Sequence, residues 1–376
     1  MREEGVTFTH NNSVRLLTSG QKKFDDMFEA IRHAKSSVHL EYFNFRNDSI
    51  AGALFDLLAE KAKEGVEVRA LYDAFGNSSN NRPLKDKHVA YQRSRGIQLY
   101  EYDPLRFPWI NHVFCRDHRK IVIIDGEIAY TGGMNVADYY IHGTEVVGKW
   151  HDMHCRLEGS EVNTLQHIFA KIWRKVTGER LIAAKYFQGH DAGDMMVGIA
   201  NREPRISNKI MRRFYVAAID AAQDSIQLVN PYFTLVGSVR RALKRAIKRG
   251  VDVQLMISSK SDIPLTPDCA FYNMHKLMKK GANVWIFEDG FHHTKIITVD
   301  GKFCTVGSCN LDARSLRWDY EENAIIIDKR PTKELSDLFN ANKKKSFKLT
   351  EESWDNWRTC GDKFRGWIGR LISFWL

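Results

Sequence analysis

Short apolar runs alternate with amphipathic segments along this chain, and their order occurs twice. Val14-Arg15-Leu16-Leu17 reads as a short strand. From Gly20 onward, Phe24, Met27, Phe28, Ile31 and Ala34 share one helical face. A strand over 38–43 follows, then an amphipathic helix over 51–63 with Leu54, Leu57, Leu58 and Ala62 inward, stopping at Gly65. Next come a strand over 66–72, a polar loop over 76–81, a helix over 87–95 and a strand over 97–100. The second half repeats this order: helix 210–222, strand 225–229, helix 239–249, strand 251–256, helix 272–280 and strand 282–285. Gly65 and Gly250 are 185 positions apart, as are Gly96 and Gly281. The pattern predicts a duplicated α/β unit with helices on both sheet faces, a linker over 185–194, and ligands at the carboxyl ends of strands.

Inside this apolar repeat lies a polar one. His118, Lys120, Asp125 and Asn135 have the same spacing as His293, Lys295, Asp300 and Asn310: Lys two after His, Asp seven after, Asn seventeen after. On a strand, H-x-K places both side chains on one face. Ile121 to Ile124 and Ile296 to Val299 continue as strands, and Asp125-Gly126 and Asp300-Gly301 read as hairpin turns. Gly132-Gly133 and Gly307 then let the backbone approach a ligand and aim the asparagines at it. A single copy would be a strand-edge His beside a solvated Lys. Two matched copies point to one shared site, because a repeated core has no reason to repeat polar positions. The histidines are only 175 apart, so the first half carries about ten extra residues before its motif, roughly 106–112.

The paired H-x-K-x4-D motifs resemble the phospholipase D superfamily. Arg116-Asp117 before the first motif, and Asn310-Leu311-Asp312-Ala313-Arg314-Ser315 with Tyr320-Glu321 in the second, are similar to bacterial cardiolipin synthases. The resemblance covers nearly the whole chain. It implies an α/β fold of two duplicated phospholipase D-like sandwich halves about a pseudo-twofold axis, with both motifs lining the cleft between them. The expected division is 1–188, 189–352 and a tail over 353–376. The resemblance further implies ping-pong transfer through a phosphohistidine. A symmetric pair does not say which histidine attacks; by analogy with two-motif relatives, His118 is taken as nucleophile and His293 as acid/base.

The chemistry fits a phosphodiester. A neutral imidazole attacks without charge repulsion, and a protonated one serves the leaving alkoxide. Lys120, Lys295, Asn135 and Asn310 can hold the non-bridging oxygens, so neither metal nor cofactor is expected. Asp125 and Asp300 complete the motif and enter the candidate catalytic set, although their turn positions suit a structural role. Asp152 and Glu321 match family acidic positions and are the better candidates to orient the histidines. His151-x-x-His154 has no third ligand after it and reads as strand or surface histidines. His112 and His292 lie beside the motif strands, where substrate contact and an ordinary loop role stay open. Pro231-Tyr232-Phe233 reads equally as cleft wall or turn, and Glu41 and Asp73, at strand ends, read as surface carboxylates, with a supporting role behind the site left open.

Composition narrows the partners. The chain has 376 residues, 43% hydrophobic and 27% charged, as in a globular protein with an ample core, and a net charge of +10 that favours an anionic partner. The six scattered cysteines form no C-x-x-C, which argues against a zinc ribbon and suits a reducing cytosol. No apolar run is long enough to span a membrane, whereas many cardiolipin synthases begin with two spanning helices. Arg240, Arg241, Lys244, Arg245, Lys248 and Arg249 crowd one helix face, with a solvated surface and lipid head-group binding both open. From Trp354 onward, Trp357, Phe364, Trp367, Ile368, Leu371, Ile372, Phe374, Trp375 and Leu376 lie among Arg358, Lys363, Arg365 and Arg370. That profile suits an interfacial helix, the alternative being a helix docked in a groove. The expected function is cardiolipin synthesis from two phosphatidylglycerols by a peripheral enzyme at the cytoplasmic membrane face. Its expected partner is an anionic bilayer rather than nucleic acid. The alternatives are another phosphatidyltransferase, a phospholipase D or a nucleic-acid phosphodiesterase.

Overall fold

The computed structural model describes residues 5–105, 114–263 and 266–371. The insertion read over 106–112, with His112, lies outside the described residues, as do Ile372, Phe374, Trp375 and Leu376. The first half runs β1 (Thr9–Leu17), α1 (Gly20–Arg32), β2 (Ser37–Tyr42), α2 (Ser49–Lys63), β3 (Glu67–Asp73), α3 (Ala74–Ser78), α4 (Asp86–Ser94), β4 (Gln98–Tyr102), β5 (Lys120–Ile124), β6 (Ile128–Gly132), α5 (Tyr139–His142), β7 (Trp150–His151), β8 (His154–Glu158) and α6 (Glu161–Thr177). The second runs β9 (Met195–Arg202), α7 (Ile210–Ala221), β10 (Ser225–Val229), α8 (Gly237–Lys248), β11 (Asp252–Ser258), α9 (Thr266–Met278), β12 (Asn283–Phe287), β13 (Phe291–His292), β14 (Ile296–Val299), β15 (Phe303–Gly307), α10 (Ala313–Arg317), β16 (Glu321–Ile327) and α11 (Lys329–Lys343). A tail follows: β17 (Ser346–Lys348), α12 (Glu351–Trp357) and α13 (Cys360–Leu371).

The sheet carries the duplication in its strand order. β4-β3-β2-β5-β6-β8-β1 in the first half matches β12-β11-β10-β14-β15-β16-β9 in the second. β1 and β9 pair antiparallel where the halves meet, making one continuous sheet with β17 at an edge. Among the described residues of this sheet, three strands of each half run parallel, β2-β3-β4 and β10-β11-β12. The motif hairpins join them antiparallel, because a tight Asp-Gly turn cannot make a parallel crossover. The polar loop expected over 76–81 is partly helical: Asp73 accepts the Gly76 N–H at 2.9 Å and caps α3.

Three apolar layers hold the fold. α1 and α2 cover the outer face of the first half through Met27, Leu54 and Leu58. α7, α8 and α9 cover that of the second through Phe214, Leu243 and Phe271. Between the halves, Leu165, Phe169 and Trp173 of α6 and Leu335 and Phe339 of α11 meet Ile121, Ile123, Ile296 and Val306 from both motif hairpins. Truncating a ring such as Phe169 there would cost about 3–5 kcal/mol. This central layer makes the two halves one rigid frame for the cleft.

The tail is docked by one face. Trp354 is buried and stacks on His275 at 4.3 Å, and the partly buried Trp357 meets Phe271 at 4.6 Å, so both pack against the core rather than forming an exposed interface. α13 lies on α9 through Gly366 and Gly369, where a Cβ would meet the Asp268 carbonyl oxygen at 2.5 Å and the Cys269 Cβ at 3.0 Å. Arg358 and Arg365 both pair with Asp268. The opposite face of α13 exposes Phe364, Trp367, Ile368 and Leu371, each between 39% and 65% accessible. No helix among the described residues is long and apolar enough to cross a membrane.

Candidate active site

Both motif histidines sit just before the isoleucine-rich strands rather than within them: β5 begins at Lys120 and β14 at Ile296. Each histidine segment pairs with the opposite half. The His118 N–H donates to the Tyr320 carbonyl at 3.1 Å, and the His293 N–H donates to the His151 carbonyl at 2.7 Å. β13 and β7 extend the second pairing as a parallel two-strand sheet. In each case the next residue of the partner segment is an acid. His118 Nδ1 lies 3.0 Å from Glu321 Oε1, and His293 Nδ1 lies 2.7 Å from Asp152 Oδ2. With Nδ1 engaged by Glu321, Nε2 is the nitrogen His118 has left for chemistry, while Lys295 Nζ lies 2.8 and 3.1 Å from Nδ1 and Nε2 of His293.

The two histidines, Asn135 and Asn310 line one cleft of about 480 Å³. Its walls are aromatic. Phe43 meets the His118 ring edge-on at 5.0 Å, and Trp150 lies 5.3 Å from the His293 ring. Tyr232 also lines it and donates its hydroxyl to Asp262 at 2.7 Å, so of Pro231-Tyr232-Phe233 it is the tyrosine that forms the wall, while Phe233 is buried in the core. Lys120 and Lys295 are buried behind the histidines. Each ammonium donates to the carbonyl oxygen of its own motif histidine, that of Lys295 at 2.5 Å. A Cβ on Gly133 would strike the Asp152 carboxylate, which explains the glycine there.

The electrostatics of the two pairs differ. Burial, then Lys120 and Lys295, hold His118 well below the usual histidine range. Burial and Lys295 also lower His293, but Asp152 pulls the other way. Burial opposes ionisation of Asp152, yet Lys295 and His293 keep it below the usual carboxylate range. Glu321, by contrast, is pushed by burial up to about 7. His118 therefore faces a carboxylate that titrates near neutral pH, and His293 one held ionised. Burial also brings Lys120 down to about 8. Behind it Glu322, raised by burial to about 8, accepts the Thr131 hydroxyl at 2.5 Å.

Several residues stand elsewhere than the sequence suggested. Asp125 and Asp300 are not brought to the cleft. They lie beyond the far ends of β5 and β14, about 16 Å of extended chain past the lysines. Asp125 accepts the N–H groups of Lys35, Ser36 and Ser37 at 2.7–2.9 Å, and Asp300 those of Gln223, Asp224 and Ser225 at 2.8–3.0 Å. Each pins the turn between a helix and its strand. Glu41 and Asp73 are buried, not surface groups: Glu41 pairs with Arg119 at 2.9 Å and Asp73 with Arg116 at 3.0 Å. These pairs fix the chain on either side of His118. His151 bonds the Asp289 carbonyl at 2.9 Å, His154 faces the Met134 N–H at 3.4 Å, and His292 takes the Asn342 amide at 2.9 Å. Phe43, Trp150 and Tyr139 also line the cleft, and nothing in the sequence marks them, since wall aromatics carry no motif.

Two histidines oriented by carboxylates across a pseudo-twofold cleft, each with a buried lysine, define a phospholipase D-type phosphodiester site. A family model described as "Cardiolipin synthase, PLD-like domain" matches residues 27–173 and 215–343, and the chain belongs to that family. A cardiolipin synthase from Oceanobacillus iheyensis is 35% identical over 374 residues, 99% of this chain and 77% of that protein. A cardiolipin synthase 2 from Staphylococcus epidermidis is 35% identical over 369 residues, 97% of this chain and 75% of that protein. In fold, the chain is similar to a phosphatidylserine synthase from Haemophilus influenzae, with a TM-score of 0.73, 13% identity and 99% and 98% of the two chains covered. The chain is accordingly an enzyme of the phospholipase D superfamily, of the phosphatidyltransferase type.

Proposed function

We propose that this cleft transfers a phosphatidyl group from one phosphatidylglycerol to a free hydroxyl of another, forming cardiolipin and releasing glycerol. The substrate is a phospholipid, as the family implies. The observation that carries the reading is the pair of imidazoles in one cleft, each oriented by an acid from the opposite half. His118 Nε2 attacks phosphorus and the bond to the head-group glycerol breaks. His293 takes up a proton with the help of ionised Asp152, against the burial and Lys295 that lower it, and gives that proton to the departing alkoxide. The second lipid's hydroxyl then attacks, returns a proton to His293 and frees His118. Lys120, Lys295, Asn135 and Asn310 stabilise the non-bridging oxygens as charge shifts onto them.

The anionic bilayer is the proposed partner, and the cytoplasmic membrane face the proposed place of action. The exposed apolar stripe of α13 supports peripheral binding. The test is incubation with phosphatidylglycerol vesicles and resolution of products by mass. Cardiolipin with equimolar glycerol is expected. Phosphatidic acid and glycerol alone would make the enzyme a hydrolase, and inertness toward lipid with cleavage of nucleic acid would overturn the reading.

A further inference from the structure

Each half holds the peptide before its cleft asparagine from the same two sides. Gly132 lies opposite His154 of β8, and Gly307 opposite Asn323 of β16, in the same register. The Met134 N–H donates to His154 Nδ1 at 3.4 Å, and the Cys309 N–H donates to Asn323 Oδ1 at 3.3 Å. A Cβ on Gly132 or Gly307 would strike these same two side chains, so the glycines leave them room to reach under the loop. The carbonyl side is held from the first helix of each half. Lys23 of α1 donates to the Asn135 carbonyl at 3.1 Å and lies 3.5 Å from that of Met134. The Tyr215 hydroxyl of α7 donates to the Cys309 carbonyl at 3.4 Å and accepts from the Asn323 amide at 3.2 Å.

The two holds match in place and differ in chemistry. Tyr215 and Asn323 are a neutral pair. Lys23 is an amine buried in the apolar layer under α1, its Nζ 4.2 and 4.9 Å from the ring centroids of Phe24 and Tyr42. Burial holds it well below the usual lysine range, against the pull of Asp152. A lysine in such a layer is costly, and an apolar side chain of the same length would fold there at least as well. Packing alone therefore does not account for it. Charged or neutral, the amine donates to the backbone that aims Asn135, and Asn135 lines the cleft together with both motif histidines.

We propose that Lys23 is a positioning residue for Asn135, as Tyr215 is for Asn310: each fixes the peptide from which its asparagine reaches the phosphate oxygens. The inference rests on the reading that the asparagines hold those oxygens. It is tested by kcat and KM of the full chain on a soluble nitrophenyl phosphodiester. Lys23→Met keeps the side-chain length and removes the donor. Its kcat should fall about tenfold with KM within about twofold, because a misaimed asparagine fails chiefly as charge shifts onto the oxygens. Its melting temperature should stay within about 2 °C or rise, since an apolar group replaces a buried amine. Tyr215→Phe removes a single oxygen atom, should lower kcat about fivefold, and decides the matter if Lys23→Met does not fold. The decisive comparison is crossed. In an Asn135→Ala background Lys23→Met should cost less than about twofold more while Tyr215→Phe keeps its full effect, and in an Asn310→Ala background the reverse should hold. Losses that multiply in every background, or unchanged kcat in both variants, would overturn the proposal. If Asn135→Ala and Asn310→Ala themselves kept full turnover, the reading of the asparagines would fail and the positioning role with it.

Discussion

His118 and Glu321 stand 203 positions apart, in opposite halves, yet meet at 3.0 Å. His293 and Asp152 repeat the relation in reverse at 2.7 Å. Neither half can thus complete a site alone. The crossing is built into the backbone, since each histidine N–H is held by the carbonyl preceding its acid. Any shift between the halves would separate both pairs together, which gives the central layer of α6 and α11 a catalytic consequence beyond stability.

The asymmetry of the acids predicts which histidine becomes phosphorylated. Burial, Lys120 and Lys295 hold His118 neutral, whereas ionised Asp152 offsets part of the burial and the Lys295 charge that lower His293. With a nitrophenyl phosphodiester, whose leaving group needs no proton, His293→Ala should accumulate a covalent adduct visible in the intact protein mass. His118→Ala should show none. Turnover should fall about 10²–10⁴-fold in both. An adduct on the His118→Ala protein would reverse the assignment.

Lys120 sets an alkaline limit. Its ammonium is needed in the charged form, and burial brings it down to about 8. As pH rises through that value the charge is lost, so kcat should decline above about pH 8. Lys120→Arg keeps its charge to far higher pH. That variant should be slower, yet should lose the limb near 8. An unchanged limb would assign it to another group.

Asp125 and Asp300 should matter to stability rather than to rate. Each collects three backbone N–H groups at a turn, and each sits at a positive φ, 53° and 52°. Asp125→Ala orphans those donors and adds backbone strain, for a loss of about 2–4 kcal/mol. The melting temperature should drop by several degrees while kcat of the folded protein stays within about twofold. A hundredfold loss of kcat at unchanged stability would return Asp125 to the catalytic set.

Much of this site is legible in the sequence because its residues keep fixed spacing in both copies, and because Asp152 and Glu321 follow them at family positions. The crossed pairing is not legible. It depends on β1 lying beside β9, and antiparallel partners 180 or so positions apart leave no local mark. Asp73 shows the same limit. A carboxylate at a strand end looks alike whether solvated or buried, and its partner Arg116 is 43 positions away. The central helix α6 has apolar positions at Val162, Leu165, Phe169 and Ile172 with plain helical spacing, but that spacing does not tell a helix packed between the halves from one on an outer face. The tail shows a different limit. Its aromatic and basic composition is real, but composition does not tell Trp354, stacked on His275, from Trp367, facing solvent.

That division of the tail yields the last prediction. Deleting residues 354–376 would remove Trp354 and Trp357 from the core, so loss of activity would not report on membranes. Point changes separate the two faces. Phe364→Ser/Trp367→Ser acts on side chains 59% and 46% exposed, and Gly366→Val drives a branched side chain into the Asp268 carbonyl. The serine pair should leave the melting temperature within about 1 °C, since exposed side chains contribute little to folding. It should reduce partitioning onto anionic vesicles at least tenfold, because each aromatic ring buried in the interface adds well over 1 kcal/mol. Activity on vesicles should fall with it, and hydrolysis of a soluble phosphodiester should not. Gly366→Val should instead lower the melting temperature and impair both activities. If the serine pair also melts early, the exposed stripe is a covered surface of the protein, and its role at the bilayer is wrong.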